Sequence, residues 1–210
     1  MKHYIGEIKK IYSTIKDKIQ SRLNEFREIG QIGSDEAIFA ELVFCILTPQ
    51  SRAKSCWEAV ENLIEKNLLF NGNKNQIAKK LNGVRFHNNK SRYIIEARKK
   101  YIKVLKFLKK DIDIYLRREW LVHNIKGFGY KEASHFLRNI GLGENLAILD
   151  RHILKNLKLL KVIDEIPKLL SKEKYLAIEE KMKEFSKDIK IPMSHLDFVL
   201  WYKETGEVFK

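Results

Sequence analysis

The stretch from Asn124 to Asn156 reads N-I-K-G-F-G-Y-K-E-A-S-H-F-L-R-N-I-G-L-G-E-N-L-A-I-L-D-R-H-I-L-K-N, and two of its residues, Lys131 and Asp150, carry most of the information in the chain. Gly127 and Gly129 lie between segments of helical apolar spacing, so the start of the stretch reads as helix, tight turn, helix. Such a turn brings backbone N–H groups close to a phosphate. It also opens a helix whose first amides are unpaired and whose dipole end is positive. A nucleic-acid backbone can be gripped there without its sequence being read. Each residue has an ordinary alternative: Lys131 as a plain phosphate contact, Asp150 as the N-cap of the helix carrying Ile153 and Leu154, and the glycines as a helix-terminating turn.

Outward from this stretch, apolar residues recur at helical spacing and strict alternation is nearly absent, which predicts an all-α fold. Ile5, Ile8, Tyr12, Ile15, Ile19, Leu23 and Phe26 form one face of a long first helix, which Gly30 and Gly33 are expected to break. Ser34-Asp35-Glu36 signals the next helix, ended by Thr48-Pro49. Further helices are expected over about 51–69, up to Leu81, over about 90–109 and over 113–123, then near 130–140, 151–161, 171–187 and 194–204. The chain divides into a central helical subdomain, 35–140, which ends in the glycine turn, and a second subdomain, 1–34 plus 141–210, which carries Asp150. The two together make one unit, 1–210.

Lys and Arg total 41 against 27 Asp and Glu, giving a net charge of +14 and a pI near 9.6. Phosphate is the natural target of that excess. A lysine-rich thermophile surface is the competing explanation, but such surfaces raise both signs together. The opening M-K-H-Y-I-G-E-I-K-K has no apolar signal core and no stretch reaches membrane-span length, so the expectation is a soluble, cytoplasmic protein, nucleoid-associated in a prokaryote. Cys45 and Cys56 read as buried thiols. Two cysteines cannot build an all-cysteine cluster, and no histidine spacing marks a metal site, so none is assigned.

The 124–156 stretch resembles the helix-hairpin-helix, glycine-rich loop and aspartate of the base-excision DNA glycosylase superfamily. The runs L-T-P-Q-S-R-A-K-S-C-W and V-R-F-H-N-N-K-S-R-Y-I, with the final lysine, most resemble the short archaeal-type 8-oxoguanine DNA glycosylase/AP lyases. One departure is Asn145-Leu146-Ala147, where the superfamily often has Pro-Val before the aspartate. The resemblance implies a monomer acting on double-stranded DNA that contains a damaged base. It would flip out 8-oxoguanine, attack C1′ with Lys131, stabilise the cationic sugar with Asp150, and cut the abasic strand by β-elimination. It implies no metal or organic cofactor, although hairpin carbonyls can hold a monovalent cation.

The resemblance also implies a base pocket. Phe86 and Trp201 would sandwich the base, stacking being worth about 1–3 kcal/mol per base. Asp197 would accept hydrogen bonds from the purine, with a solvated helix charge as the alternative. Lys210 would help separate 8-oxoguanine from guanine, although a terminal residue is ordinarily disordered. Gln50 would approach the gap left by the flipped base. Lys126, Gly127, Gly129, Arg52, Arg85, Lys90, Arg92 and His152 are expected at the DNA backbone. Two other readings stay open: a glycosylase for another damaged or mismatched base, and a non-enzymatic helix-hairpin-helix DNA-binding module. An RNA-binding protein has no supporting signature.

Overall fold

The computed structural model describes residues 2–210, and among these there are eleven helices and no strand. α1 (Lys2–Gln31) buries Ile8, Ile15, Ile19, Leu23 and Phe26 along one stripe. Gly30 does not break it. The residue sits inside the last turn, where a Cβ would lie 2.0 Å from the Ile140 carbonyl oxygen, so glycine here permits a close helix crossing.

Ser34 caps α2 (Asp35–Leu47), its hydroxyl accepting from the Ala37 amide at 3.1 Å. The single helix expected over 51–69 is two, α3 (Ala53–Glu65) and α4 (Leu68–Asn71), because Asn67 adopts a left-handed backbone at φ 53°. α5 (Lys74–Lys80) begins with a reciprocal cap between Asn73 and Gln76. α6 (His87–Leu108) is followed by α7 (Ile114–Asn124), capped by Asp113, and by α8 (Tyr130–Asn139). α9 (Arg151–Leu159), α10 (Lys172–Ile189) and α11 (Met193–Thr205) complete the order. No helix among the described residues is long and apolar enough to cross a membrane.

Buried side chains fall into two clusters. One joins Phe39 through Leu146 and is built by α2 to α8; the other joins α1 to residues from Ala147 through Leu200. Buried ion pairs bridge them, among them Arg138 of α8 with Asp197 of α11, and the most enclosed is Arg118 with Glu179. Arg118 of α7 donates to both Glu179 oxygens of α10, at 2.7 and 2.9 Å, and the two side chains are 1% and 2% exposed. Glu179 also accepts from the Ala147 amide at 2.7 Å, while Arg118 also reaches Ser134 of α8 at 3.2 Å. The Tyr175 hydroxyl donates to the Ala147 carbonyl at 2.6 Å. The hairpin helices and the chain entering Asp150 are thus tied to one guanidinium–carboxylate pair.

Removing one partner leaves the other charged and buried, so Arg118→Met should cost about 3–5 kcal/mol of stability. Urea denaturation monitored by circular dichroism measures it, and a loss within about 0.5 kcal/mol, typical of surface sites, would contradict the role.

Candidate active site

The turn between α7 and α8 is shaped by backbone that only glycine accepts easily. Gly127 has φ 90°, and a Cβ there would meet the Tyr93 ring at 2.8 Å. Ala133 is the first α8 residue to donate along the helix, to the Gly129 carbonyl at 3.0 Å. The amides of Tyr130, Lys131 and Glu132 therefore have no intrahelical acceptor and form an anion-binding end. The Gly129 amide is already engaged by the Glu132 carboxylate at 3.0 Å.

Lys131 stands in this first turn with its side chain 21% exposed. Its ammonium donates to the Thr48 hydroxyl at 3.1 Å and lies 3.4 Å from the Glu132 carboxylate. Thr48 in turn donates to the Cys45 carbonyl at 3.1 Å, which leaves an oxygen lone pair for Lys131.

Asp150 caps α9. Its Oδ1 accepts from the His152 and Ile153 amides, each at 2.8 Å, so the carboxylate is fixed while Oδ2 stays uncommitted. Capping therefore occupies one oxygen and leaves the other free. Among the described residues Lys131 and Asp150 do not pair directly, so neither charge is neutralised by the other.

Asp197 of α11 is buried, not a solvated helix charge. Arg138 of α8 holds its Oδ2 at 3.3 Å and packs over the Phe198 ring, 4.4 Å from the centroid. Burial pushes the Asp197 carboxyl up to about 6, Arg138 acting against it and Asp150 with it. One turn further along, Trp201 meets the His152 ring edge-on at 5.2 Å, and His152 Nδ1 lies 3.7 Å from Glu204.

Lys210 is buried and ordered. Its ammonium pairs with the buried Glu41 carboxylate and sits 3.4 Å from the Trp57 ring centroid. Glu41 also accepts from Asn139 at 2.8 Å. Gln50 and Phe86 are exposed and both carry left-handed backbone, φ 56° and 59°, a conformation that side chains other than glycine adopt at a cost.

The cations divide. Arg52, Arg85, Arg92 and Lys126 are exposed, Lys126 and Arg92 lying 3.8 and 3.9 Å from Glu96. Lys90 is a correction. The expected backbone contact is 4% exposed, and its ammonium is spent inside the protein on Leu47, Pro49 and Ser51. It cannot reach a phosphate.

A family model described as 8-oxoguanine DNA glycosylase matches residues 19–191. The chain belongs to that family. It is 50% identical to an 8-oxoguanine DNA glycosylase/AP lyase of Fusobacterium nucleatum, over 99% of this chain and 98% of that one. The 8-oxoguanine DNA glycosylase of Thermotoga maritima superposes with a TM-score of 0.91 at 36% identity, covering 100% of both chains. That of Methanocaldococcus jannaschii, solved with a 15mer DNA containing 8-oxoguanine, gives 0.90 at 37% identity over 98% of this chain and 99% of that one.

For this glycosylase family member, motif reading singled out Lys131 and Asp150 but passed over Thr48, Glu132, Glu41 and the Arg118–Glu179 pair. Thr48 had a faint signal, a hydroxyl residue where α2 stops. The others show only as charges in otherwise helical segments.

The folded Asp197 carboxyl keeps a proton that the unfolded chain releases near the ordinary value of 3.8. The folded state therefore binds more protons between the two values, and this group's contribution to stability falls as pH rises through that window. Urea titrations of wild type and Asp197→Asn at about pH 4 and about pH 6.5 should show the variant losing this component of the slope; equal slopes would contradict it.

Proposed function

We propose that this protein is a base-excision repair enzyme that removes 8-oxoguanine from duplex DNA and cuts the abasic strand. The observation that carries the reading is the placement of Lys131 in the first turn of the helix opened by the glycine turn, its nitrogen held at Thr48, with the Asp150 carboxylate fixed at the cap of α9. The charges of both residues act on Asp197, which supports assigning all three to one site.

The target base cannot react inside the stack, so the nucleotide must be extruded. The free amine of Lys131 attacks C1′, the bond from C1′ to N9 breaks, and the base leaves with its electron pair and gains a proton. The uncommitted Oδ2 of Asp150 stabilises positive charge on the sugar and accepts the proton that the attacking nitrogen sheds. Opening of the sugar ring at O4′ leaves a protonated imine between Lys131 and C1′. That imine acidifies C2′, and loss of the C2′ proton expels the 3′ phosphate. Water then releases Lys131. These steps call on no metal or organic cofactor.

The hairpin offers carbonyl oxygens, the donors that a monovalent cation takes, but the Asn124 carbonyl already accepts the Lys100 ammonium at 2.8 Å and that of Ile125 accepts the Phe128 amide at 3.2 Å. A bound cation would share the turn with Lys100 and help orient its amides.

We assign Phe86 and Trp201 to stacking on the base, Asp197 and Lys210 to its edge, and Gln50 to the vacated gap. The exposed Arg52, Arg85, Arg92 and Lys126, with His152 and the turn at Gly127 and Gly129, whose Gly129 amide is held by Glu132 while the next three amides are free, would contact the backbone. A monomer would suffice, and an enzyme of this substrate would work in the cytoplasm, with the nucleoid in a prokaryote.

Borohydride trapping on a duplex with one 8-oxoguanine tests the reading. Wild type should form a covalent adduct, Lys131→Gln none, and Asp150→Asn should slow it roughly 10²-fold or more. Base release by Lys131→Gln at the wild-type rate would contradict the assignment. DNA affinity should fall linearly in log–log form with salt, by roughly 10³-fold or more between about 50 and 200 mM, because each neutralised phosphate releases counterions. Salt-independent binding, followed by fluorescence anisotropy, would be the contrary result.

A further inference from the structure

The Lys90 ammonium is a buried charge that the chemistry above does not use. Its three hydrogens meet three acceptors: the Leu47 carbonyl at 2.8 Å, the Pro49 carbonyl at 2.7 Å and the Ser51 hydroxyl at 3.1 Å. All three belong to the turn that ends α2, and Thr48 lies between the first two. Ser51 also accepts from the Arg85 amide at 3.0 Å, next to the left-handed Phe86. One ammonium from α6 thus joins the turn that meets Lys131, the strained Gln50 and the segment carrying Phe86.

The Thr48 contact controls direction. Its own proton is committed to Cys45, so toward Lys131 it can only accept. A neutral Lys131 amine that donates to Thr48 must point its lone pair elsewhere, and that lone pair is what attacks carbon. Rotating the amine by losing this anchor misplaces the nucleophile, and small misplacements of reacting atoms are costly in rate.

We infer that Lys90 is a positioning residue for the nucleophile: it pins the Leu47–Ser51 turn so that the Thr48 hydroxyl orients the Lys131 amine. The inference rests on Lys131 being the nucleophile. It also carries a pH signature. Burial draws Lys90 down to about 8; Lys131 and Arg85 act in the same direction, and Cys56 and Glu132 oppose it. Deprotonation removes one of the three hydrogens and turns a lone pair toward an acceptor, so the turn loosens on the alkaline side.

Single-turnover borohydride trapping on a duplex with a preformed abasic site tests this without base removal. Thr48→Val deletes the hydroxyl at nearly constant shape. It should slow adduct formation roughly tenfold or more with DNA affinity unchanged and the protein still folded, the lost Cys45 hydrogen bond lowering its melting temperature, and Thr48→Ser should restore the rate. Wild type should decline above about pH 8, and Lys90→Met should be similarly slow and lack that decline. Trapping by Thr48→Val at the wild-type rate would overturn the inference, as would a Lys90→Met profile that keeps the alkaline decline. A wild-type protein that traps nothing would instead remove the nucleophile assignment beneath it.

Discussion

The Arg118–Glu179 pair is the interaction on which the geometry of this protein depends. The two residues to which we assign the chemistry stand on different helical clusters, Lys131 on the hairpin and Asp150 on the chain leading into α9, and apolar packing alone is non-directional. A bidentate guanidinium–carboxylate pair is directional, and when buried it tolerates little displacement. Because Glu179 also accepts from Ala147 and Arg118 reaches Ser134, the same pair fixes both the approach to Asp150 and the helix that carries Lys131. Desolvating two charges is expensive. What is gained is a fixed relation between two halves of a site.

Around the site the same logic recurs at smaller scale. Arg138 and Asp197, Lys210 and Glu41, and Lys90 with its carbonyls are each buried charges held by specific partners rather than surface ions. They are fixed inside the protein, while Arg52, Arg85, Arg92 and Lys126 remain exposed. The net charge of +14 thus serves two purposes, attraction outside and order within. Gln50 and Phe86 mark where backbone strain is tolerated, Gln50 within the turn that Lys90 holds and Phe86 next to the Arg85 amide that bonds Ser51.

The fold was largely legible because amphipathic spacing and caps are local signals. The stripe on α1, the Ser34 cap and the glycine turn all read directly from neighbouring residues. Gly30 was misread because its reason is a helix crossing at Ile140, distant in sequence. Lys90 was misread for a related cause: a lysine beside Arg85 and Arg92 looks like a surface cluster, and only the return of the α2 terminus shows that it is enclosed. Lys131 and Asp150 stood out because glycines and a helix start announce them. Thr48, Glu41 and Glu179 gain meaning only through tertiary partners, which no local pattern encodes.

The central claim is that one lysine, positioned by this framework, becomes covalently joined to the sugar. Proteolysis of the trapped protein–DNA adduct, with mass spectrometry of the cross-linked peptide, tests it most directly. The account predicts the modification on Lys131 alone. Attachment at Lys126, at Lys90 or at the N-terminal amine would contradict it.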